Sequence, residues 1–196
     1  MNKCIKMLRT YRKVLKNNKE EINKVIPNMY SESFYTIDFN YLLNKNIDKL
    51  IIDIDNTILP TDDIKVPNEL ITKIEELKKD FSICLVSNNY KRRVEPVANI
   101  LDVRYLDKAK KPLPECFKKS MDILNETNVN KVAMIGDQML TDIVGANEYN
   151  VYSVLVKPIS KRHNIGTLIN RYLQNKIEKH LLKENIFDKD KYYKKF

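Results

Sequence analysis

Glycine, histidine and cysteine are scarce in this chain of 196 residues, and tryptophan is absent. With only three glycines, the chain has no glycine-rich phosphate loop and no G-x-G-x-x-G fingerprint, which disfavours a P-loop or a dinucleotide-binding site. The two histidines, His163 and His180, lie far from the acidic motifs in sequence, so a histidine-based triad or metal cluster is not expected. Aspartate must therefore carry any chemistry.

The three cysteines, Cys4, Cys84 and Cys116, are odd in number and widely spaced, with no C-x-x-C pair. They indicate neither a disulfide framework nor a zinc site, and they fit a reducing, cytoplasmic setting. Long hydrophobic runs are also missing, because charged residues interrupt them well before they could span a bilayer. We therefore expect no transmembrane segment and one compact domain with short appendages.

Positive charge is concentrated at the two ends of the chain. Residues 1–26 hold eight Lys or Arg against two Glu, and residues 158–196 hold ten against four acids, so the middle of the chain is net negative although the total is +9. A basic surface is available to anionic partners such as a membrane or a nucleic acid. The alternative is a general compositional bias toward Lys, Asn and Ile.

From Lys49 onward, short β-rich runs alternate with longer helical ones, for example "KLIIDID", "PNELITKIEELKKD" and "SICLVS". This alternation is typical of βαβ units and predicts an α/β fold, a three-layer, doubly wound parallel sheet. In such sheets ligands bind beyond the carboxyl ends of the strands, where the strand order reverses.

Two carboxylates, Asp53 and Asp55, interrupt the otherwise buried stretch "LIIDIDNTILP". Ionised carboxylates are costly to bury, so a cation or another partner must compensate for them. Three further polar motifs follow predicted strands, namely "LVSNN", "KKP" and "GDQMLTD", and they would meet "DIDNT" at one edge of the sheet.

In this order, the four motifs resemble those of the haloacid dehalogenase (HAD) superfamily of phosphohydrolases. The segments "DIDNTILP", "KAKKPLP", "VKPIS" and "IGTLINRYL" further resemble its subfamily IIIA, YqeG-type phosphatases, whose relatives include the mitochondrial phosphatidylglycerophosphate phosphatase. The resemblance implies a HAD-like Rossmannoid domain over residues 26–184. A basic amphipathic extension over 1–25 and a basic tail over 185–196 would flank it.

The resemblance implies a Mg²⁺-dependent phosphomonoesterase. Asp53 would be the nucleophile that forms an aspartyl-phosphate, and Asp55 would be the general acid and base. Mg²⁺ would be held by the Asp53 carboxylate, the Asp55 backbone carbonyl and the Asp137 carboxylate, with Asp142 in the outer shell. Asp142 has an alternative role, that of stabilising the positive end of the following helix.

The same resemblance places the phosphoryl group among Thr57, Ser87, Asn88 and Lys111. Thr57 would order the loop after the two acids. Ser87 has the alternative role of a helix cap, and Lys110 is an alternative to Lys111 as the phosphate-binding lysine.

Larger relatives in the superfamily insert a cap domain over the site, either between the first and second motifs or between the second and third. Here the intervals 57–87 and 87–111 are each filled by one predicted helix and one predicted strand, which leaves no room for a cap. An uncovered site suits a substrate too large to be engulfed, such as a lipid head group in a membrane, a protein or a nucleic-acid end. Among these, the family resemblance implies phosphatidylglycerophosphate, an anionic phospholipid at a membrane surface. The alternatives are a capless phosphatase for nucleic-acid ends, proteins or nucleotides, and a non-catalytic binding module.

A helix over residues 3–26 would align Cys4, Leu8, Tyr11, Leu15, Ile22 and Ile26 along one stripe, away from most of its lysines and arginines. Such a basic amphipathic helix could lie on anionic lipid, as a peripheral anchor on the inner face of a membrane, or pack on the protein's own core. Glu20 and Glu21 count against a mitochondrial transit peptide.

Overall fold

The computed structural model describes residues 3–61, 65–160 and 165–187, and a six-stranded, fully parallel sheet lies at its centre. The strands are β1 (Met29–Ser31), β2 (Lys49–Asp53), β3 (Ser82–Val86), β4 (Arg104–Leu106), β5 (Val132–Gly136) and β6 (Tyr152–Val156), in the spatial order β1-β6-β5-β2-β3-β4. From β2 the chain proceeds to β3 and β4 on one side and then crosses to β5 and β6 on the other. The strand order therefore reverses between β2 and β5.

Helices cover both faces of the sheet, which confirms the predicted three-layer α/β fold. They are α1 (Lys3–Val14), α2 (Lys19–Val25), α3 (Phe39–Asn44), α4 (Asn68–Leu77), α5 (Lys91–Leu101), α6 (Pro114–Leu124), α7 (Val144–Glu148) and α8 (Ile165–Lys183). Short 3₁₀ helices span Phe34–Thr36 and Val129–Lys131, and a π-helical turn spans Met139–Ile143. In the described residues, the stretch between β2 and β3 contains one helix, and no cap domain is inserted there.

Alternate residues of the strands point to opposite faces, because side chains of a strand alternate. Leu50 and Ile52 pack with α3, α4 and α5, whereas Ile51 packs with α6 and α7. The second face continues beyond β5, where α1, α2 and α8 cover β1 and β6. The sheet is thus buried on both sides, and its carboxyl edge is left open.

The N-terminal segment forms two helices, and the predicted single stripe is wrong. Asn17 adopts a left-handed conformation (φ 56°), and the Asn18 side chain caps α2 by accepting a hydrogen bond from the Glu21 amide. Because of this break, the helical period of α1 does not continue into α2, and the two helices do not share one apolar stripe. The buried side of α1 consists of Lys6, Met7, Thr10 and Val14, while Cys4 and Leu8 are exposed.

Buried polar contacts explain why Lys6 and Thr10 face inward. Lys6 donates to the Pro112 carbonyl (3.2 Å) and forms an ion pair with Glu148, and the Thr10 hydroxyl donates to the Glu21 carboxylate (3.0 Å). Lys6 therefore fastens α1 to the loop that precedes α6. Of the two roles considered for this segment, packing on the core is the one that its inner face fulfils.

The two ends of the described chain lie together. His180 Nε2 is hydrogen-bonded to Asn17 Oδ1 (2.8 Å), and Phe187 is buried with its ring edge-on to the ring of Tyr30. The predicted tail begins at residue 185, but Phe187 packs on the core, and residues 188–196 lie outside the described residues. The boundaries at residues 25 and 184 stay predictions. None of the described helices combines the length and apolar character needed to cross a membrane.

Candidate active site

Strand β2 ends at Asp53, and the loop that follows turns its side chains back toward the strand end. Asn56 takes a left-handed conformation (φ 63°), and its backbone N–H donates to the Leu59 carbonyl (2.6 Å). This turn brings the Thr57 hydroxyl to Asp53 Oδ2 (3.1 Å) and, more weakly, to Asp137 Oδ1 (3.5 Å). Thr57 thus joins carboxylates from two neighbouring strands, and its predicted role in ordering this loop stays a prediction.

Asp55 is held by donors that come from the end of β3 and the start of α5. Ser87 Oγ donates to Asp55 Oδ2 (3.2 Å), as does Asn89 Nδ2 (2.8 Å). Arg93 donates through Nε and Nη2 to Asp55 Oδ1 (3.1 and 3.0 Å), and its Nη2 also donates to the Pro60 carbonyl. Neither Asn89 nor Arg93 was predicted as a site residue, although Asn89 belongs to the "LVSNN" motif and Arg93 lies in the first turn of the helix that follows it.

Lys111 is buried among the acids, whereas Lys110 is exposed. The Lys111 ammonium forms ion pairs with Asp53 and with Asp142 Oδ1 (2.8 Å) and donates to the Val86 carbonyl (3.4 Å). Burial lowers the pKa of Lys111, but Asp142 and Asp53 outweigh burial and raise it above its ordinary value. Lys111 is therefore the lysine that faces the site.

Asn88, predicted to bind phosphate, contacts the backbone of Lys111. Its Oδ1 accepts from the Lys111 amide (2.7 Å), and its Nδ2 donates to the Lys111 carbonyl (3.4 Å). Because Asn88 follows β3 and Lys111 follows β4, this pair of bonds ties the two strand ends together. In the structure Asn88 positions the lysine.

Asp53, Asp137 and Asp142 form a buried acidic cluster, in which one oxygen of each lies within 4.8 Å of the others. Burial is the main cause that raises the pKa of Asp53, to about 7; Lys111 opposes this shift, and Asp142 and Asp55 add to it. Three carboxylates with hard oxygen ligands at this spacing fit a divalent cation such as Mg²⁺. Because the ligands must be ionised, metal binding would release protons at acidic pH.

Asp142 lies within this cluster because the chain after β5 is tightly wound. The Gln138 amide donates to Asp142 Oδ2 (3.0 Å) at the start of the π-helical turn. A Cβ atom on Gly136 would lie 2.4 Å from the carboxyl carbon of Asp142, so only glycine fits at this position. The outer-shell role of Asp142 stays a prediction, and its carboxylate lies beside Lys111 and Asp53.

Gly136→Ala is expected to weaken Mg²⁺ binding by about 10-fold to 100-fold, as changes to groups that orient metal ligands do. The added methyl group must push the Asp142 carboxylate out of the cluster. Isothermal titration with Mg²⁺ measures the effect. Gly145→Ala is the matched control, because its Cβ would strike the Phe117 ring (2.5 Å) and approach Pro112 Cα (3.1 Å) rather than a carboxylate. Equal loss of Mg²⁺ affinity in both variants would contradict the expectation.

Helix α8 contributes Arg171 and Gln174, neither of which was predicted from the sequence as a site residue. Arg171 forms an ion pair with the Asp137 carboxylate, and its Nη1 donates to the Asp137 carbonyl (2.9 Å). Gln174 donates to the same carbonyl (3.3 Å) and accepts from the Met139 amide (3.1 Å). Burial lowers the pKa of Arg171 to about 10, so it stays charged at neutral pH. Both side chains fix the segment that carries Asp137.

Arg171→Met is expected to lower the free energy of unfolding of the metal-free protein by about 3–5 kcal/mol, because it leaves Asp137 buried without its cation. Saturating Mg²⁺ should restore more stability to this variant than to the wild type, since the metal replaces the lost charge. Urea unfolding in chelator and in Mg²⁺ measures both effects. Lys179→Met, an exposed change on the same helix, is the control; a loss that is unaffected by Mg²⁺ would contradict this explanation.

An open cleft of about 320 Å³ leads to these residues. Its floor contains Asp53, Asp55, Ser87 and Lys111. Its walls come from both ends of the chain as well as from the loops: they are formed by Lys3, Cys4, Met7, Thr61, Asn88, Asn89, Gln138, Thr141 and Asn170. Helices α1 and α8 therefore both begin at the mouth of the cleft.

Comparison with known proteins gives a consistent match. Residues 6–160 match the family described as mitochondrial PGP phosphatase. The probable phosphatase YqeG of Bacillus subtilis (strain 168) is 29% identical over 153 residues, which cover 78% of this chain and 88% of the relative. Helix α8, with Arg171 and Gln174, lies outside the residues that match the family.

Two solved structures illustrate the wider likeness. The cobalt-bound deoxy-D-mannose-octulosonate 8-phosphate phosphatase YrbI from Haemophilus influenzae is 18% identical with a TM-score of 0.44, covering 74% of this chain and 94% of that chain. A HAD phosphatase from Thermococcus onnurineus is 19% identical with a TM-score of 0.42, covering 52% of this chain and 51% of that chain.

Proposed function

Because the chain belongs to the mitochondrial PGP phosphatase family and is a phosphatase, we propose that it is a Mg²⁺-dependent phosphomonoesterase with Asp53 as its nucleophile. The observation that supports this most is the buried contact of Asp53 with Lys111 beside Asp137 and Asp142, at the floor of an open cleft. Burying such a cluster of acids costs free energy. Carboxylates with strongly perturbed environments are concentrated at functional sites, so this cluster indicates one.

Asp53 would attack the phosphorus atom in line with the leaving oxygen, so that a bond forms between its carboxylate and phosphorus while the phosphorus–oxygen bond to the leaving group breaks. Asp55 would give its proton to the leaving oxygen and then take a proton from the water that attacks the aspartyl-phosphate. This second attack releases inorganic phosphate and restores the Asp53 carboxylate. Arg93 and Asn89 would orient Asp55 for both transfers, while the Ser87 hydroxyl turns from Asp55 to the phosphoryl group.

Lys111, Ser87 and Thr57 would bind the phosphoryl oxygens, since their donors surround Asp53 and Asp55. Mg²⁺ would be held by the carboxylates of Asp53 and Asp137 and by the Asp55 backbone carbonyl. Asp142 and Arg171 would keep these ligands in place. When bound, Mg²⁺ supplies positive charge that offsets the carboxylates and the phosphoryl group. Lys111 lies within contact of two acids, so it also keeps the cluster neutralised during turnover.

The proposed substrate is phosphatidylglycerophosphate, which would be converted to phosphatidylglycerol and inorganic phosphate. The family match supports this assignment, and so does the open cleft, which can receive a phosphate that stands out from a lipid surface. Consistent with such a substrate, the protein would act in the cytoplasm, bound peripherally to the inner face of the membrane.

Phosphate release from vesicles that contain phosphatidylglycerophosphate tests the proposal, first with Mg²⁺ and then with chelator. Turnover that needs Mg²⁺ is the expected result. Release from a soluble phosphomonoester alone would keep the chemistry and replace the substrate by a nucleotide, a nucleic-acid end or a phosphoprotein. Inactivity on every substrate with Mg²⁺ present would indicate a binding module.

A further inference from the structure

Exposed large hydrophobic side chains are concentrated around the mouth of the cleft. Nine such residues occur in the described part of the chain, and seven of them belong to segments that line the cleft or adjoin its loops. We call these seven the mouth face: they are Ile5, Leu8, Tyr90, Ile159, Leu168, Ile169 and Tyr172. The other two, Ile100 and Leu182, lie near the far ends of α5 and α8. Scattered exposed apolar residues need no explanation, but a set gathered at one site indicates an interaction surface.

The surroundings of each residue fix this location. Ile5 and Leu8 are on α1, whose first turns line the cleft, and Leu168, Ile169 and Tyr172 flank Asn170 and Arg171 on α8. Tyr90 directly follows two residues that line the cleft, and the Ile159 amide donates to the carbonyl of Asn56 in the loop after Asp55 (3.0 Å). The segments that carry the apolar side chains therefore border the cleft on several sides.

Cations accompany the apolar residues. The Lys108 ammonium lies 5.0 Å from the centre of the Tyr90 ring, and the Lys176 ammonium lies 5.7 Å from that of Tyr172. A shallow depression beside the cleft is lined by Tyr90, Lys91, Arg92 and Lys108. Tyrosine with a neighbouring lysine is suited to a membrane interface, where the ring meets the headgroup level and the ammonium meets lipid phosphates.

We propose that the mouth face is a docking surface for a bilayer that contains anionic lipid. The aliphatic side chains of α1 and α8 would enter the headgroup layer, and the cations beside Tyr90 would bind lipid phosphates. This proposal rests on the proposed function for the identity of the substrate. Docking would bring the floor of the cleft to the phosphate group of a lipid that stays in its membrane.

A second copy of the chain is a poorer partner for this surface. A dimer that pairs two mouth faces would bring two sets of cations, those beside Tyr90 and Tyr172, into one interface, and like charges across an interface oppose association. A bilayer with anionic lipid offers the opposite charge together with an apolar layer. The structure thus favours a lipid surface on grounds of charge.

Vesicle flotation without substrate tests the docking surface. Vesicles of phosphatidylcholine with roughly one third phosphatidylglycerol are compared with vesicles of phosphatidylcholine alone. We expect the full chain to float with the anionic vesicles and to be released as NaCl rises from about 0.1 M to about 0.5 M. The double variant Ile5→Ser/Ile169→Ser should lose about tenfold or more of this binding. Ile100→Ser/Leu182→Ser, which removes two exposed apolar residues elsewhere, should bind like the wild type.

Three outcomes separate the proposals. Undiminished flotation of the Ile5→Ser/Ile169→Ser variant, or wild type that does not float while still hydrolysing a soluble phosphomonoester, overturns the docking surface but not the phosphatase. A wild type that floats and releases no phosphate overturns the proposed function alone. A dimer in gel filtration that this variant dissociates would assign the face to self-association and overturn the lipid assignment. Turnover of the soluble substrate by both double variants confirms that they are folded.

Discussion

Asp53→Asn is expected to lower the rate of phosphate release by about 10⁵-fold or more while the protein stays folded. The amide has the shape of the carboxylate but cannot form the aspartyl-phosphate. Because removal of a nucleophile affects the chemical step, the fall should appear in kcat on both lipid and soluble substrates. The measurement is phosphate release under saturating Mg²⁺, compared with the wild type.

The same variant should not be less stable than the wild type in chelator. Burial raises the pKa of Asp53 to about 7, so the folded state holds this proton more tightly than the unfolded state, whose carboxyl titrates near 3.8. The wild type therefore loses stability relative to Asp53→Asn as pH rises from about 4 to about 7. Urea unfolding across this range measures the difference.

Asp80→Asn, an exposed change before β3, is the control for both measurements and should match the wild type. Residual activity of Asp53→Asn within tenfold of the wild type would remove Asp53 from the role of nucleophile. If the difference in stability between Asp53→Asn and the wild type does not change with pH, burial of the Asp53 charge is not the cause of that difference.

Lys111→Met is expected to affect both stability and activity. The metal-free protein should lose about 3–5 kcal/mol, because the change leaves Asp53 and Asp142 buried without their shared cation. The value of kcat should fall by about 10²-fold to 10³-fold, since a fixed charge aimed at the phosphoryl group is lost. Thermal unfolding and phosphate release measure the two effects.

Lys110→Met is a closely matched control, because it removes the same type of side chain one residue away at an exposed position. It should leave both properties close to those of the wild type. A larger loss of activity in Lys110→Met than in Lys111→Met would reverse the assignment of the phosphate-binding lysine. Saturating Mg²⁺ should restore part of the stability of Lys111→Met and change Lys110→Met little.

The sequence predicted the sheet from β2 to β6 well, because most of these strands are apolar runs and four of the five lead into a polar motif. Strand β1 was missed, since its three residues, Met29–Ser31, are too few to show a period and pair only along β6. The meeting of Asp53, Asp55, Ser87, Lys111 and Asp137 at one edge follows from parallel strand order, and the structure brings these residues together. Family membership and phosphatase activity, both predicted from the motifs, are confirmed.

Contacts between distant segments could not be read in this way. Arg171 is separated from Asp137 by 34 residues and belongs to a helix whose exposed and buried faces both include polar residues. No local pattern distinguishes it from the other cations of the basic C-terminal region. The stripe predicted along residues 3–26 failed for a related reason, because it assumed one continuous helix, whereas Asn17 and Asn18 end one helix and start another.

The joining of the two chain ends has a consequence for the order of folding. Helices α1 and α2 share one apolar cluster with α8 and Phe187. They leave the ribosome before α8 and cannot complete their packing until α8 has been made. At ordinary rates of synthesis this interval is on the order of ten seconds. During that time the inner faces of α1 and α2 lack part of their final cover, and such contacts between distant segments form late and slowly. A nascent chain halted before α8 should therefore be prone to aggregate or to bind chaperones, even though its central sheet is already complete.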